Sequence, residues 1–341
     1  MSMSKSILGD LKDDIVHGAK APIRAGREVI GTIRALRDGR ASYREVGLTA
    51  GATLGAIVLL LIILFPLYYM INVALAAGTG AASLYEEGFF ASPTEYNLAA
   101  FEWLWYDSGF FFRPNYQEAP TVGMWEAFTG SFLANSLQLV IPTVVFSMIL
   151  IIPAAYAFSR REFKGRKPLL YGYVLLTQVG GGISIAALIA IYVVFNQLGL
   201  LNSFLAVSAL YAAGAIPFNT WLLKTFMDNI PESYEEAAIM DGASRWRVMW
   251  EIVLPLSKPG LAVVLIFVFL AGWNEFILVQ ILLSADNHPL SVGLYRLIDE
   301  FSTPWGQFSA FALVYALPVA LIYFFSQRYV ESGLSFGGME G

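Results

Sequence analysis

The sequence predicts an all-α, polytopic membrane protein. Of its 341 residues 57% are hydrophobic and only 14% are charged, where a soluble domain carries about 25% charged residues. Six apolar runs are each long enough to cross a bilayer, whose core of roughly 30 Å takes about 20 helical residues. They lie at 48–77, 131–158, 169–195, 203–226, 260–283 and 308–326. A buried helix of a soluble protein would be shorter and keep a polar face. These runs are apolar all round.

The first run opens some 47 residues into the chain and is too long for a signal h-region, so it reads as an uncleaved anchor. Orientation follows from the basic residues, which stay on the cytoplasmic side of span ends. Lys5, Lys12, Lys20, Arg24, Arg27, Arg34, Arg37, Arg40 and Arg44 precede the first span. Arg160, Arg161, Lys164, Arg166 and Lys167 follow the second; Lys224, Arg245, Arg247 and Lys258 cluster between the fourth and fifth; Arg328 follows the sixth. Only Arg113 and Arg296 fall in the alternate loops. This places both termini in the cytoplasm, in the cell or inner membrane.

The chain then divides into a cytoplasmic extension (1–47), a first span (48–77), an outer loop (78–130), a helical core (131–328) and a cytoplasmic tail (329–341). In the extension Ile23, Val29, Ile30, Ile33 and Leu36 alternate with arginines, as in a helix lying on lipid headgroups. The outer loop is acidic and aromatic, suiting either an interfacial belt and lid or a docking surface. Pro66, Pro142, Pro153, Pro217 and Pro318 and the run Gly180 to Gly182 fall inside spans, where bends suit a gated path.

The net charge of −5 argues against nucleic acid as a partner, and the acidic balance is compatible with a salt-rich habitat. With no cysteine and only His17 and His288, neither a thiol nucleophile nor a metal centre is expected. Phosphate-loop and metalloprotease patterns are also missing, so the expectation is a non-enzyme without cofactor.

The polar stretch 227–259 stands out. Asp228 or Asn229 can cap a helix, Pro231 suits its first turn, and Glu232, Glu235 and Glu236 suit the positive end of its dipole. Gly242 can end that helix in a left-handed conformation, Ser244 can start a second, and Pro255 and Pro259 stop it. Inside the fifth run, Asn274 and Glu275 form a polar pair at membrane depth. Such groups are costly and face a cavity, a pathway or a satisfied helix contact.

Glu236-Ala237-Ala238, Gly242 and Ile252-x-Leu254-Pro255 reproduce the spaced signature of the permease subunits of binding-protein-dependent ABC importers, which the chain resembles from about residue 48 to its end. Ala154-Ala155-Tyr156-Ala157-Phe158-Ser159-Arg160, Trp273-Asn274-Glu275-Phe276 and Gln327-Arg328-Tyr329 are similar to the carbohydrate, maltose-permease type. The tail departs from it at Met339-Glu340. The resemblance implies a pathway-forming subunit that pairs with a second homologous permease, sits on two ATPase subunits and receives solute from an extracytoplasmic binding protein. It implies that Glu236, Ala237, Ala238, Asp241, Gly242, Ile252, Leu254 and Pro255 form the ATPase-coupling segment, a cytoplasmic coupling helix between the fourth and fifth spans. Asn274 and Glu275 are pathway or gate candidates. The expected cargo is a sugar; glycerol phosphate or a polyamine, and an ion-coupled secondary transporter, are the alternatives.

Overall fold

The computed structural model describes residues 42–76, 96–112, 123–179, 185–299 and 303–336. The amphipathic stretch at 23–36, most of the outer loop with Arg113, Gly180 to Gly182, and Met339-Glu340 lie outside the described residues. The described residues form helices and turns, with no strand among them. They fall into two units, Met1–Tyr69 and Met70–Gly341.

The first unit holds most of α1 (Tyr43–Ala76), which continues through Pro66. Its apolar side chains, Leu54 and Ile57 to Leu64 among them, are exposed. Exposure on that scale requires a lipid or protein surround.

The second unit takes the last residues of α1 and then holds two short helices, α2 (Ala99–Tyr106) and α3 (Met124–Thr129). The long α4 (Phe132–Arg160) follows; the Ser131 hydroxyl caps it by accepting from Ala134 N at 3.1 Å. α7 (Phe204–Asp228) starts in the same way on Ser203. Ser208 Oγ donates 2.8 Å to the Leu139 carbonyl, and at the far end Ser159 Oγ donates 2.7 Å to Asp228 Oδ1. Both pairs are 69 positions apart in sequence, so α4 and α7 run parallel in constant register over about 30 Å, a bilayer core's thickness. Small side chains let them approach: Thr143, Ser147 and Ala155 on one helix, Ser208, Ala212 and Thr220 on the other, all buried.

α10 (Lys258–Trp273) packs on both, and α13 (Trp305–Phe336) packs on α10. The approach of α10 to α7 is close at Gly260, where an added Cβ would stand 2.6 Å from Cβ of Phe226. Ile151, Ala155, Leu223, Met227, Val264 and Val268 close the core at the C-terminal ends of α4 and α7. Leu104, Val140, Trp273, Leu290 and Phe311 close it near the other end of α4.

Among the described residues, four helices are long and apolar enough to span a membrane, namely most of α1, α4, α7 and most of α13, or up to five if α10 is joined to the segment before it. The expected runs 169–195 and 260–283 are not single described helices. The former holds α5 (Arg166–Val179) and α6 (Ile185–Gln197), each too short to span alone. The latter breaks after Trp273, where the Asn274 backbone N–H makes the last α-helical bond of α10, to Leu270 O, and resumes as α11 (Ile277–Leu282). α12 (Leu290–Tyr295) completes the unit before α13.

Candidate functional site

The stretch 227–259 folds as two short helices. α8 (Ser233–Met240) is followed by α9 (Arg245–Leu256), which meets α10 at 82°. Asp241 N and Gly242 N close α8 on Ala237 O and Ile239 O, and Gly242 holds φ +86°, as its sequence position led us to expect. Ser244 Oγ accepts from Arg247 N and starts α9. Met249–Val253 winds as a π-helix just ahead of Pro255, whose missing N–H leaves the Glu251 carbonyl without its α-helical donor.

The start of α8 departs from the expectation. Asp228 and Asn229 belong to the end of α7, and Glu232 precedes α8 without a side-chain cap. The Asp228 carboxylate is instead engaged by Ser159 and by an ion pair with Lys224.

α8 is fixed by one buried charge. Glu235 is the only α8 residue that is buried, and it pairs with Arg160 at the end of α4, each side chain below one-tenth exposed. Tyr156 donates its hydroxyl to the second carboxylate oxygen at 3.2 Å. Three of the four remaining guanidinium hydrogens go to Met227 O at 2.9 Å, Ile230 O at 2.8 Å and Ser159 Oγ at 3.2 Å. Arg166 reaches Ser159 O at 3.1 Å. A buried ion pair holds only when its remaining donors and acceptors are satisfied, and here α4, α7 and α8 all supply partners.

The signature residues divide around this clamp. Ala238, Ile252 and Leu254 pack against the core, whereas Glu236, Ala237, Asp241, Gly242 and Pro255 are exposed, beside Met240, Trp246 and Trp250. The result is a helix–turn–helix anchored on one face and free on the other. Arg160, Tyr156, Ser159, Asp228 and Glu235 were not expected to form the anchor; an arginine closing an apolar run is the sequence signal that could have suggested it.

A second polar place is the break after α10. The Tyr315 hydroxyl lies 2.9 Å from Trp273 O and 3.0 Å from Asn274 Oδ1, and Trp273 Nε1 donates 3.2 Å to Tyr315 O beneath stacked rings. Glu275 Oε1 accepts from Leu278 N at 3.3 Å, capping α11, and its carbonyl accepts from Ser291. Asn274 is exposed and Glu275 half-buried. Among the described residues no cluster of three His, Asp or Glu side chains could hold a metal ion.

Residues 131–336 match the family described as binding-protein-dependent transport system inner membrane component. The galactooligosaccharides transport system permease protein of Bacillus subtilis (strain 168) is 40% identical over 209 residues, 61% of this chain and 73% of the relative. The maltodextrin transport system permease protein of the same organism is 36% identical over 216 residues, 62% and 76% of the two chains. A solved chain of a bacterial ABC transporter involved in the import of the acidic polysaccharide alginate superposes with a TM-score of 0.65 at 25% identity. The match covers 85% of this chain and 98% of that one.

Proposed function

Because this chain belongs to the family of binding-protein-dependent transport system inner membrane components, we propose that it is the permease subunit of an ATP-driven sugar importer. The relatives named above transport galactooligosaccharides and maltodextrin, which points to an oligosaccharide as cargo. In our reading α5 with α6, and α10 with α11, each complete one crossing, giving six spans with both termini cytoplasmic. A second permease completes the pathway, two ATPase subunits supply the energy, and an extracytoplasmic binding protein delivers the sugar.

The observation that carries this reading is the anchored helix–turn–helix. Its buried side grips α4 and α7, while Glu236, Ala237, Asp241 and Gly242 face outward from a turn closed by a left-handed glycine. An element held on one side and presented on the other can receive motion from an ATPase and pass it to spanning helices. Asn274 supports a pathway or gate at the α10 break, since an exposed amide at membrane depth is unfavourable against lipid and favourable against water, sugar or a partner.

Gly242→Leu tests the coupling role, with Gly199→Leu as control. Both glycines have positive φ and open space around the missing Cβ, so backbone strain is common to the two. We expect both variants to insert and assemble, with uptake lost only for Gly242→Leu. Normal uptake by Gly242→Leu would overturn the coupling assignment.

A further inference from the structure

We infer that Arg160 is a positioning residue through which displacement of α8 is delivered to α4; this rests on the coupling role proposed above. Along the backbone α8 leads only to α7, through residues 229–232, and to α9 and α10, through residues 241–244. No covalent path leads directly to α4. The non-covalent attachment of α8 is narrow, because its large apolar residues Tyr234, Ile239 and Met240 are exposed and its one buried residue is Glu235. Apart from the half-buried Ala238, what holds α8 against the bundle is therefore the Glu235 carboxylate, and the cation that meets it stands in the last turn of α4.

The guanidinium is a planar fork with fixed donor directions. Nε faces Glu235, Nη2 faces the carbonyls of Met227 and Ile230, and Nη1 faces Ser159. α8 cannot shift without either carrying Arg160 along, which strains its bonds to Met227 O and Ile230 O, or breaking the bonds that Arg160 and Tyr156 make to the buried Glu235 carboxylate. Because α4 and α7 keep one register from Leu139–Ser208 to Ser159–Asp228, a pull on the end of α4 is shared with α7. A lysine would keep the charge and has three donors, but all on one nitrogen, so it cannot reproduce the fork that meets the carboxylate from Nε and the two carbonyls from Nη2. Arg160 therefore adds α4 to the helices that the coupling segment drives.

The test uses the complete importer in proteoliposomes, with wild type, Arg160→Lys and Arg160→Gln chains, measuring assembly, ATP hydrolysis and sugar uptake. Wild type failing to couple hydrolysis to uptake would reject the importer reading itself and not this residue's role. With wild type active, we expect assembled Arg160→Lys to hydrolyse ATP while uptake per ATP falls by at least about fivefold, the low end of a coupling free energy between sites. Arg160→Gln should fall further. An unchanged ratio in the assembled variants would overturn the inference. So would failure of Arg160→Lys to assemble, which would make Arg160 a folding contact.

Discussion

Arg296 Nη2 lies 2.7 Å from Nδ1 of His288. A guanidinium only donates, so Nδ1 accepts and the ring proton sits on Nε2, which donates to Leu283 O at 3.2 Å. This neutral imidazole ties the loop between α11 and α12 to Arg296, which also lies over the Phe132 ring and reaches Ala285 O.

The first prediction concerns pH. Burial, and then the Arg296 charge, hold the His288 pKa below its usual 6.5, against a smaller opposing effect of the Leu283 carbonyl and Asp286. The unfolded chain therefore binds the proton first as pH falls. His288 contributes stability above pH 6.5 that is lost as pH drops below that value towards its folded pKa, and the loss levels off beneath it. His288→Gln can accept from Arg296 and donate to Leu283 without titrating. The thermal midpoint of the purified complex should fall less between pH 7.5 and 5.5 for His288→Gln than for wild type; equal falls would remove His288 as the cause.

α4 and α7 were legible because each is a capped, uninterrupted apolar run, with Ser131 and Ser203 marking the starts. The turn at Gly242 was legible because a glycine that follows a short helix and precedes a capping serine is the residue that ends a helix in a left-handed conformation. The anchor was not, because two adjacent acids, Glu235 and Glu236, sit in a helix of eight residues, and nothing local sets which of them faces inward. That phase is decided by Arg160, 75 positions earlier. The break at Asn274 was hidden by apolar residues on both sides, which satisfy a hydropathy scan whether or not the helix is continuous. Asp228 was misassigned as a cap because its partners, Ser159 on α4 and Lys224 one turn back on α7, were invisible to a reading of the loop alone.

Gly260 marks how closely α10 and α7 approach. An added Cβ would stand 2.5 to 2.7 Å from Cγ, Cβ and Cδ2 of Phe226. Rotating the ring does not relieve the clash, since Cβ of Phe226 is itself too near, so the helices must separate. Gly260→Ala should cost about 1–3 kcal/mol, as overpacking of a tight core does. Gly214→Ala, in the interior of α7 with nothing within 4 Å, should be neutral or stabilising by up to about 1 kcal/mol, the helix-propensity difference between the two residues. Matching thermal midpoints for the two variants would contradict this packing account.

Asn202 takes a left-handed conformation, φ +60°, and its Oδ1 accepts from Ser284 N, Ser284 Oγ and Asn287 Nδ2 at 3.0, 2.9 and 2.8 Å. Asn202→Gly loses the acceptor but keeps the backbone, while Asn202→Ala loses both. Alanine should therefore be worse than glycine by about 1 kcal/mol, the reverse of the usual order in helices and strands. Measured midpoints ranking wild type, then glycine, then alanine would agree; alanine at or above glycine would show that φ does not limit this position.

The break after α10 yields the last prediction. Tyr315 offers one hydroxyl proton to two acceptors, Trp273 O and Asn274 Oδ1. A structural contact and a gate contact differ in what a double-mutant cycle of Asn274→Ala and Tyr315→Phe reads. As a structural contact the pair should show a coupling of about 0.6 kcal/mol in stability, the scale of hydrogen bonds between membrane helices, with uptake tracking the amount of folded complex. As a gate contact the coupling should appear in uptake per assembled complex, because Asn274 is exposed in the single chain and a gate would meet it from the pathway or a second permease. We expect the second outcome. Uptake per complex that is unchanged in both single variants and in the double variant would assign the pair to helix packing alone.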